Sequence, residues 1–187
     1  LNENPIDIVA NREKPSCDFC QSNLRFRTII HVLSTELFGK SMILTEFPVN
    51  KNIRGIGMSD WNGYADILSQ KFDYTNTFYH TEPKLDITDI TDFQENQYDF
   101  IISSDVFEHI PNPVSIAFNN TRRLLNPGGV FIFTAPYKKS GNTLEHFPNL
   151  FDYRIESKAK DKNESKDFLI NITKEGVEEI YDDLTLH

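Results

Sequence analysis

The sequence predicts an α/β fold in which helices cover both faces of a doubly wound, mostly parallel sheet. Residues 98–103 and 130–134 are nearly continuous apolar runs, which is typical of strands buried in the middle of a parallel sheet. Between them, residues 113–125 carry apolar side chains at helical spacing and end at an Asn-Pro-Gly-Gly turn. This order indicates a strand, a crossover helix and a second parallel strand.

Earlier segments extend the same pattern. Residues 22–38 carry apolar side chains at helical spacing, with Ser22 as a candidate cap and Gly39 at the end. Residues 41–47 and 53–58 predict a first and a second strand, residues 64–72 a short helix, and residues 77–79 a short third strand.

The C-terminal part has a different composition. Residues 156–167 are dense in charge and predict a solvated loop, and the segments 168–172 and 177–181 predict a β-hairpin that turns at Gly176. The predicted organisation is therefore an N-terminal segment and helix (1–39), an α/β core (40–155), and a charged loop with a hairpin (156–187).

Composition narrows the function classes. The formal net charge is −9 and the 19 basic residues form no long tract, which disfavours nucleic acid as a partner and favours a small molecule. No apolar run approaches the roughly 18 residues of a membrane span. The N-terminus lacks the pattern of an export signal, so we expect a cytoplasmic protein.

Cys17 and Cys20 are the only cysteines and form a single C-x2-C pair. In a reducing compartment such a pair suggests a metal or redox role more than a structural disulfide. Zinc requires about four ligands, and no second C-x2-C is present. Two interpretations stay open: half of a zinc site whose other half lies upstream of Leu1, or two ordinary thiols.

A resemblance to a known family is carried by Tyr98–Pro136, which reads YDFIISSDVFEHIPNPVSIAFNNTRRLLNPGGVFIFTAP. The segment resembles the class I, Rossmann-like S-adenosylmethionine-dependent methyltransferases in its strand, Glu-His pair, Arg-x-Leu-x-Pro-Gly-Gly helix end and second strand ending in Pro. IRGIGMSD is similar to the second strand of that family, and LDITDI to the segment bordering the adenine. The resemblance implies a Rossmann-like fold that transfers a methyl group from S-adenosylmethionine.

The resemblance also implies a cofactor site, because ligands of open α/β sheets bind beyond the carboxyl ends of the strands. Asp60, with Ser59 second, is the candidate for the ribose, although an Asp there could equally cap a helix. Asp86 is the candidate for the adenine amino group, or it starts a turn. The remaining cofactor candidates supply apolar walls or backbone groups: Phe47, Pro48, Leu85, Ile87, Ser104 and Val106.

The usual glycine-rich loop after the first strand is missing, and LTEFPVN stands in its place. This departure argues against a dinucleotide, whose pyrophosphate requires such a loop. It also supports an alternative function, a non-catalytic Rossmann-like module that has lost its cofactor. The family fold normally ends with a further helix and an antiparallel strand pair, and we expect both to be missing from the sheet here.

Methyl transfer from a sulfonium needs a base only when the acceptor must lose a proton. The candidate bases are His109, Glu145 and His146, which follow predicted strands, and His109 could instead hold its loop.

Overall fold

Four parallel strands form the central sheet, in the order β2-β1-β3-β4. The computed structural model describes residues 13–110, 113–136, 150–161 and 164–181. In chain order its helices and strands are α1 (Leu24–Phe38), β1 (Arg54–Met58), α2 (Asn62–Lys71), β2 (Asp73–Thr77), β3 (Tyr98–Ser104), α3 (Ser115–Leu124), β4 (Leu125–Thr134), β5 (Asp152–Asp161), β6 (Glu164–Ile172) and β7 (Glu178–Tyr181).

The chain divides into two compact units. The first contains Leu1–Glu108 and Ile116–Pro136, and the second contains His109–Ser115 and Tyr137–His187. The first unit holds the parallel sheet and its helices, so the α/β, Rossmann-like fold class is confirmed. The division into 1–39, 40–155 and 156–187 stays a prediction. Within the described ranges, no helix has the length and apolar character that a bilayer crossing requires.

The predicted first strand is wrong. Residues 41–47 contain only a 3-10 turn, Leu44–Glu46, in which the backbone N–H of Phe47 donates to the Leu44 carbonyl at 3.2 Å. Leu44 and Phe47 are the buried side chains of this segment, and a spacing of three residues suits a helical turn rather than a strand. The first strand of the sheet is therefore β1, which was predicted as the second.

The ends of two other elements also differ from the prediction by a few residues. The strand expected at residues 77–79 is β2, four residues earlier, where Tyr74 and Thr77 are buried. Asn23 rather than Ser22 caps α1, because its side chain accepts from the Phe26 N–H at 2.9 Å. Gly39 ends that helix with a φ of 70°, as predicted.

Two glycines of β1 make room for neighbouring side chains. A Cβ on Gly55 would overlap the ring of Phe100, and a Cβ on Gly57 would overlap the Tyr74 hydroxyl and the Asp60 carboxylate. Phe100 and Tyr74 lie stacked on this face, with ring centroids 5.8 Å apart and an interplanar angle of 8°. Gly55 and Gly57 therefore leave room for the side chains that pack against this face of β1.

The second unit contains an antiparallel sheet in the order β5-β6-β7. The charged residues 156–167, predicted as a loop, lie for the most part in the β5–β6 ladder, in which Glu156 faces Phe168. Antiparallel pairing satisfies the hydrogen-bonding groups of the backbone whatever the side chains are. The density of charged side chains therefore could not predict whether this segment forms strands. The hairpin predicted at Gly176 is confirmed between β6 and β7, and Gly176 has a φ of 79°.

We predict that Gly57→Ala destabilises the protein by about 1–3 kcal/mol, because the added methyl group must displace Tyr74 or Asp60 from a packed position. Urea unfolding followed by circular dichroism measures this change. The matched control is Gln70→Ala on the exposed side of α2, which should stay within about 0.5 kcal/mol of the wild type. Equal stability of the two variants would contradict the packing role of Gly57.

Candidate functional site

A cavity of about 250 Å³ lies where the strands β1 and β3 end. The chain passes from β1 outward to β2, and then returns to place β3 on the other side of β1. The carboxyl ends of β1 and β3 therefore form the topological switch point, where open α/β sheets bind ligands. The cavity is lined by Arg25, Phe26, Ser59, Trp61, Ser104 and Asp105.

Two residues of this cavity have backbone conformations that favour glycine. Ser59 has a φ of 55° and Asp105 a φ of 54°. The Ser59 N–H donates to the Thr77 carbonyl at 2.7 Å, and the Asp105 N–H donates to the Thr134 carbonyl at 3.1 Å. Left-handed backbone at non-glycine residues costs free energy and concentrates at ligand sites. The prediction that LTEFPVN stands in the place of the glycine-rich loop is wrong, because residues 41–47 are not a strand. The loop that follows the first strand of the sheet begins at Ser59.

Arg25 brings a positive charge to the cavity from the first turn of α1. Its Nε lies 3.3 Å from Oδ2 of Asp105, and its Nη2 lies 2.6 Å from Oε2 of Glu13. Its Nη1 donates to the hydroxyl of Ser104. Burial lowers the pKa of Arg25, but the hydrogen bond that Arg25 donates to Glu13 and the charges of Asp105 and Glu13 more than offset this, and the net pKa is raised. The guanidinium stays charged.

Asp105 is held from the other side by β4. Its Oδ1 accepts a hydrogen bond from the Thr134 hydroxyl at 2.8 Å. The carboxylate is thus fixed between a hydroxyl and a guanidinium, with only 20% of the side chain exposed. The cavity therefore presents one fixed positive and one fixed negative group.

Two stacked aromatic side chains, here named the aromatic wall, line one part of the same cavity. The rings of Phe26 and Trp61 are stacked, with centroids 4.7 Å apart and an interplanar angle of 7°. The guanidinium of Arg25 lies over the Phe26 ring at 4.7 Å from its centroid. This wall joins the start of α1 to the loop after β1.

Asp60 points away from the cavity into the protein. It is 4% exposed, and its Oδ2 accepts a hydrogen bond from the Tyr74 hydroxyl. Burial raises the pKa of Asp60 to about 7, although the hydrogen bond from the Tyr74 hydroxyl and the charge of Arg25 act in the opposite direction. The backbone of Asp60 is fixed by Asn76, whose side chain bonds both its N–H and its carbonyl at 2.9 Å.

Two buried polar atoms, one on Asp60 and one on Tyr64, lie next to the loop that follows β1. Among the described residues, neither Asp60 Oδ1 nor the Tyr64 hydroxyl has a hydrogen-bond partner. Burial, followed by the charge of Asp60, raises the pKa of Tyr64. The ribose role of Asp60 stays a prediction; the neighbouring Ser59 is the one of the pair that lines the cavity.

The segment that follows β2 is held by α3. Leu85 and Ile87 are buried, and the Asn120 side chain donates to the Ile87 carbonyl at 2.9 Å. Asp86 Oδ1 accepts from the Thr88 N–H at 2.9 Å and from the Thr88 hydroxyl at 2.7 Å, which is the geometry of a turn start. The adenine role of these three residues stays a prediction.

The remaining cofactor candidates are dispersed. Ser104 lines the cavity, and Val106 is half-buried in the next loop. Phe47 is buried in the core beside Phe38, with ring centroids 5.3 Å apart, and Pro48 is exposed. Neither Phe47 nor Pro48 lines the cavity, because the segment that carries them does not end a strand of the sheet.

The candidate bases are only partly described. His109 ends a 3-10 turn, Phe107–His109, and is half-buried. Glu145 and His146 lie outside the described residues. A catalytic role for all three stays a prediction.

Cys17 and Cys20 carry free thiols, with Cys17 half-buried and Cys20 exposed. In the part of the chain that the structure describes, no group of three or more His, Cys, Asp or Glu side chains could hold a metal ion. A zinc role for this pair stays a prediction.

The sequence did not point to two residues of the cavity, Arg25 and Phe26. Arg25 and Phe26 belong to a helix whose only visible signal was the spacing of its apolar side chains. Trp61 and Asp105 do lie in the loops beyond β1 and β3 that were singled out, so the strand-end rule contained the signal for both.

The comparisons with known proteins address the family of the chain. A family model described as a methyltransferase domain matches residues 64–133, which run from α2 to β4. The resemblance to methyltransferases is confirmed. The match also supports S-adenosylmethionine, the cofactor that the sequence predicts for such a domain. No curated protein sequence matches the chain.

Several solved structures are similar over part of the chain. One is from the complex between the Trm112 methyltransferase activator of Haloferax volcanii and a methyltransferase (19% identity, 47% of each chain, TM-score 0.35). Another is described as an S-adenosyl-L-methionine-dependent methyltransferase of Methanococcus maripaludis (15% identity, 58% of this chain and 56% of that one, TM-score 0.36). A third is described as a sarcosine dimethylglycine methyltransferase of Galdieria sulphuraria (22% identity, 68% and 48%, TM-score 0.39). The chain spans about half the length of these structures.

We predict that Asp60 makes stability depend on pH. Because folding raises its pKa from 3.8 to about 7, the free energy of unfolding falls as the pH rises through that interval, by up to about 4 kcal/mol. Asp60→Asn, which mimics the protonated acid, should lose this dependence and be more stable than the wild type at pH 8. Urea unfolding between pH 5 and pH 8 measures the difference, with exposed Asp66→Asn as the control. A parallel pH profile for Asp60→Asn and the wild type would show that Asp60 is not the titrating group.

Proposed function

We propose that the protein is an S-adenosylmethionine-dependent methyltransferase that binds its cofactor in the cavity at the ends of β1 and β3. The observation that carries this proposal is the position of the cavity at the switch point of a methyltransferase domain. The acceptor we propose is a small molecule, since the net charge of −9 disfavours polyanions.

The groups in the cavity suit the amino-acid end of the cofactor. S-adenosylmethionine ends in a carboxylate and an ammonium group, and the cavity offers the guanidinium of Arg25 and the carboxylate of Asp105. The sulfonium carries a further positive charge, which the face of the Trp61 ring turned away from Phe26 can stabilise. The hydroxyls of Ser59 and Ser104 add neutral hydrogen-bonding groups.

The cavity is slightly smaller than the roughly 300–1,000 Å³ of a typical ligand pocket, at about 250 Å³. We propose that it takes the methionine end of the cofactor and that the adenosine lies along the edge of the sheet. On this arrangement the adenine would rest against Leu85 and Ile87, close to Asp86.

The mechanism requires little chemistry from the protein. The cofactor supplies an activated methyl group, and the acceptor attacks it in a direct displacement. The residues of the cavity would orient the methyl group and keep water away from it, which is where the rate enhancement arises. His109, Glu145 or His146 would take a proton if the acceptor has one to lose.

The second candidate function is a binding module that has lost its cofactor. It is favoured by the loop after β1, which carries Ser59 in a left-handed conformation where the family has glycine. Calorimetric titration with S-adenosylhomocysteine separates the two functions: binding with one molecule per chain supports the methyltransferase, and no binding supports the module.

We predict that Arg25→Ala weakens the binding of S-adenosylhomocysteine by about 10- to 100-fold, because a charge-assisted hydrogen bond contributes about 1.5–3 kcal/mol. The same substitution should leave the affinity for 5′-methylthioadenosine, which lacks the amino-acid end, nearly unchanged. Isothermal titration calorimetry measures both ligands.

The matched control for this prediction is Arg122→Ala, which removes an exposed guanidinium near the end of α3. It should bind both ligands like the wild type. A loss of affinity of equal size for both ligands in Arg25→Ala would point to a general disturbance of the fold and would refute the assignment of Arg25 to the methionine carboxylate.

A further inference from the structure

The segment Ser16–Ser22, here named the cysteine loop, is a closed and ordered turn that carries both thiols of the protein. The Ser16 N–H donates to the Ser22 carbonyl at 3.1 Å, and the Gln21 N–H donates to the Cys17 carbonyl at 2.9 Å. Gln21 has a left-handed backbone with a φ of 56°. Cys17 and Cys20 therefore lie within one closed turn, and the Cys17 thiol is among the groups that interact with Cys20.

Arg27 fixes the cysteine loop to the start of α1. Its guanidinium donates to the Ser22 carbonyl at 2.9 Å and to the Ser16 hydroxyl at 2.6 Å. Both ends of the loop are therefore tied to one side chain. The loop has a defined shape even though much of it is exposed to solvent.

The two thiols differ in their surroundings. Cys20 is exposed, and its Sγ lies 3.1 Å from the Ser22 hydroxyl. The hydrogen bond with that hydroxyl, followed by the backbone of Ser22 and the nearby Cys17 thiol, lowers the pKa of Cys20. Cys17 is half-buried. Cys20 thus has the features of an attacking thiol, and Cys17 those of a thiol that reacts second.

A metal site is the competing use of a C-x2-C pair. Zinc needs about four ligands, and within the described ranges no third His, Cys, Asp or Glu joins these two thiols. The two cysteines are also the only ones in the sequence. The chemistry that Cys17 and Cys20 can complete by themselves is the two-electron exchange between a dithiol and a disulfide.

We propose that Cys17 and Cys20 form a reversible disulfide, and that the cysteine loop is a redox-sensitive modification site that reacts with low-molecular-weight disulfides such as oxidised glutathione. The Cys20 thiolate attacks one sulfur of oxidised glutathione, which forms a mixed disulfide and releases one glutathione thiolate. The Cys17 thiol then loses its proton and attacks Sγ of Cys20, which forms the intraloop disulfide and releases the second glutathione. Two protein thiols are oxidised, and one glutathione disulfide is reduced to two thiols.

The test uses the full chain in glutathione buffers of increasing oxidised fraction, followed by acid quenching, alkylation of free thiols and intact mass spectrometry. The expected product is a monomer that has lost two hydrogens, carries no glutathione and is restored by dithiothreitol. Since the chain has no other cysteine, each product has a unique mass.

Single substitutions separate the two thiols. Cys17→Ser should accumulate a glutathione adduct on Cys20, because the second thiol is missing. Cys20→Ser should form its adduct several-fold more slowly at neutral pH, because the remaining thiol lacks the Ser22 hydrogen bond. Both changes replace sulfur by oxygen in an otherwise unaltered loop, and circular dichroism checks that the fold is kept.

Two results would overturn the proposal. The first is a wild-type chain that stays reduced, or stops at a glutathione adduct, in an excess of oxidised glutathione. The second is stoichiometric zinc that binds the purified chain and protects both thiols from alkylation, which would make the loop part of a metal site. Neither result depends on whether the cavity binds S-adenosylmethionine.

Discussion

Parallel pairing of β1 on both of its edges is the constraint on which the rest of this structure depends. β1 pairs with β2 through Ile56 and Thr75, and with β3 through Ile56 and Ile101. A strand that is paired on both sides has no free edge, so no further strand can be added beside β1. The same pairing brings the ends of β1 and β3 together, and this juxtaposition creates the cavity.

The cavity contains a largely buried guanidinium, that of Arg25, whose burial would destabilise the fold if it had no ionic or hydrogen-bonding partners. Arg25 has a side chain that is only 14% exposed, and a guanidinium removed from water requires compensating charges and hydrogen bonds. Glu13, Asp105 and the Ser104 hydroxyl supply them. This arrangement ties the start of α1 to the end of β3, two segments that are far apart in the sequence, and it keeps the charge at the rim of the sheet. The positive group at the cavity is therefore held by long-range contacts and not by local helix geometry.

The sequence allowed β3 to be predicted because its nearly continuous apolar run matches a strand that is buried on both faces. The strand at residues 130–134 is also confirmed, but its predicted position in the middle of the sheet is wrong: β4 lies at the edge, where Ile132 is buried and Phe133 is 41% exposed. The position of the first strand could not be predicted this way, because residues 41–47 and 53–58 have similar local patterns and only sheet pairing distinguishes them. For the candidate site, the strand-end rule identified the loops of Ser59 and Ser104. It could not identify Arg25, whose approach to β3 is a tertiary contact without a local signal.

The stacked pair of Phe26 and Trp61 has a practical consequence. Trp61 is the only tryptophan in the sequence, and it lines the cavity with its ring stacked on that of Phe26. All indole emission of the protein therefore originates at the rim of this cavity. We expect a molecule that enters the cavity to change the surroundings of that ring, because Trp61 is one of its lining residues. The unlabelled protein consequently carries its own optical probe, suited to rapid-mixing measurements of how quickly the cavity fills and empties.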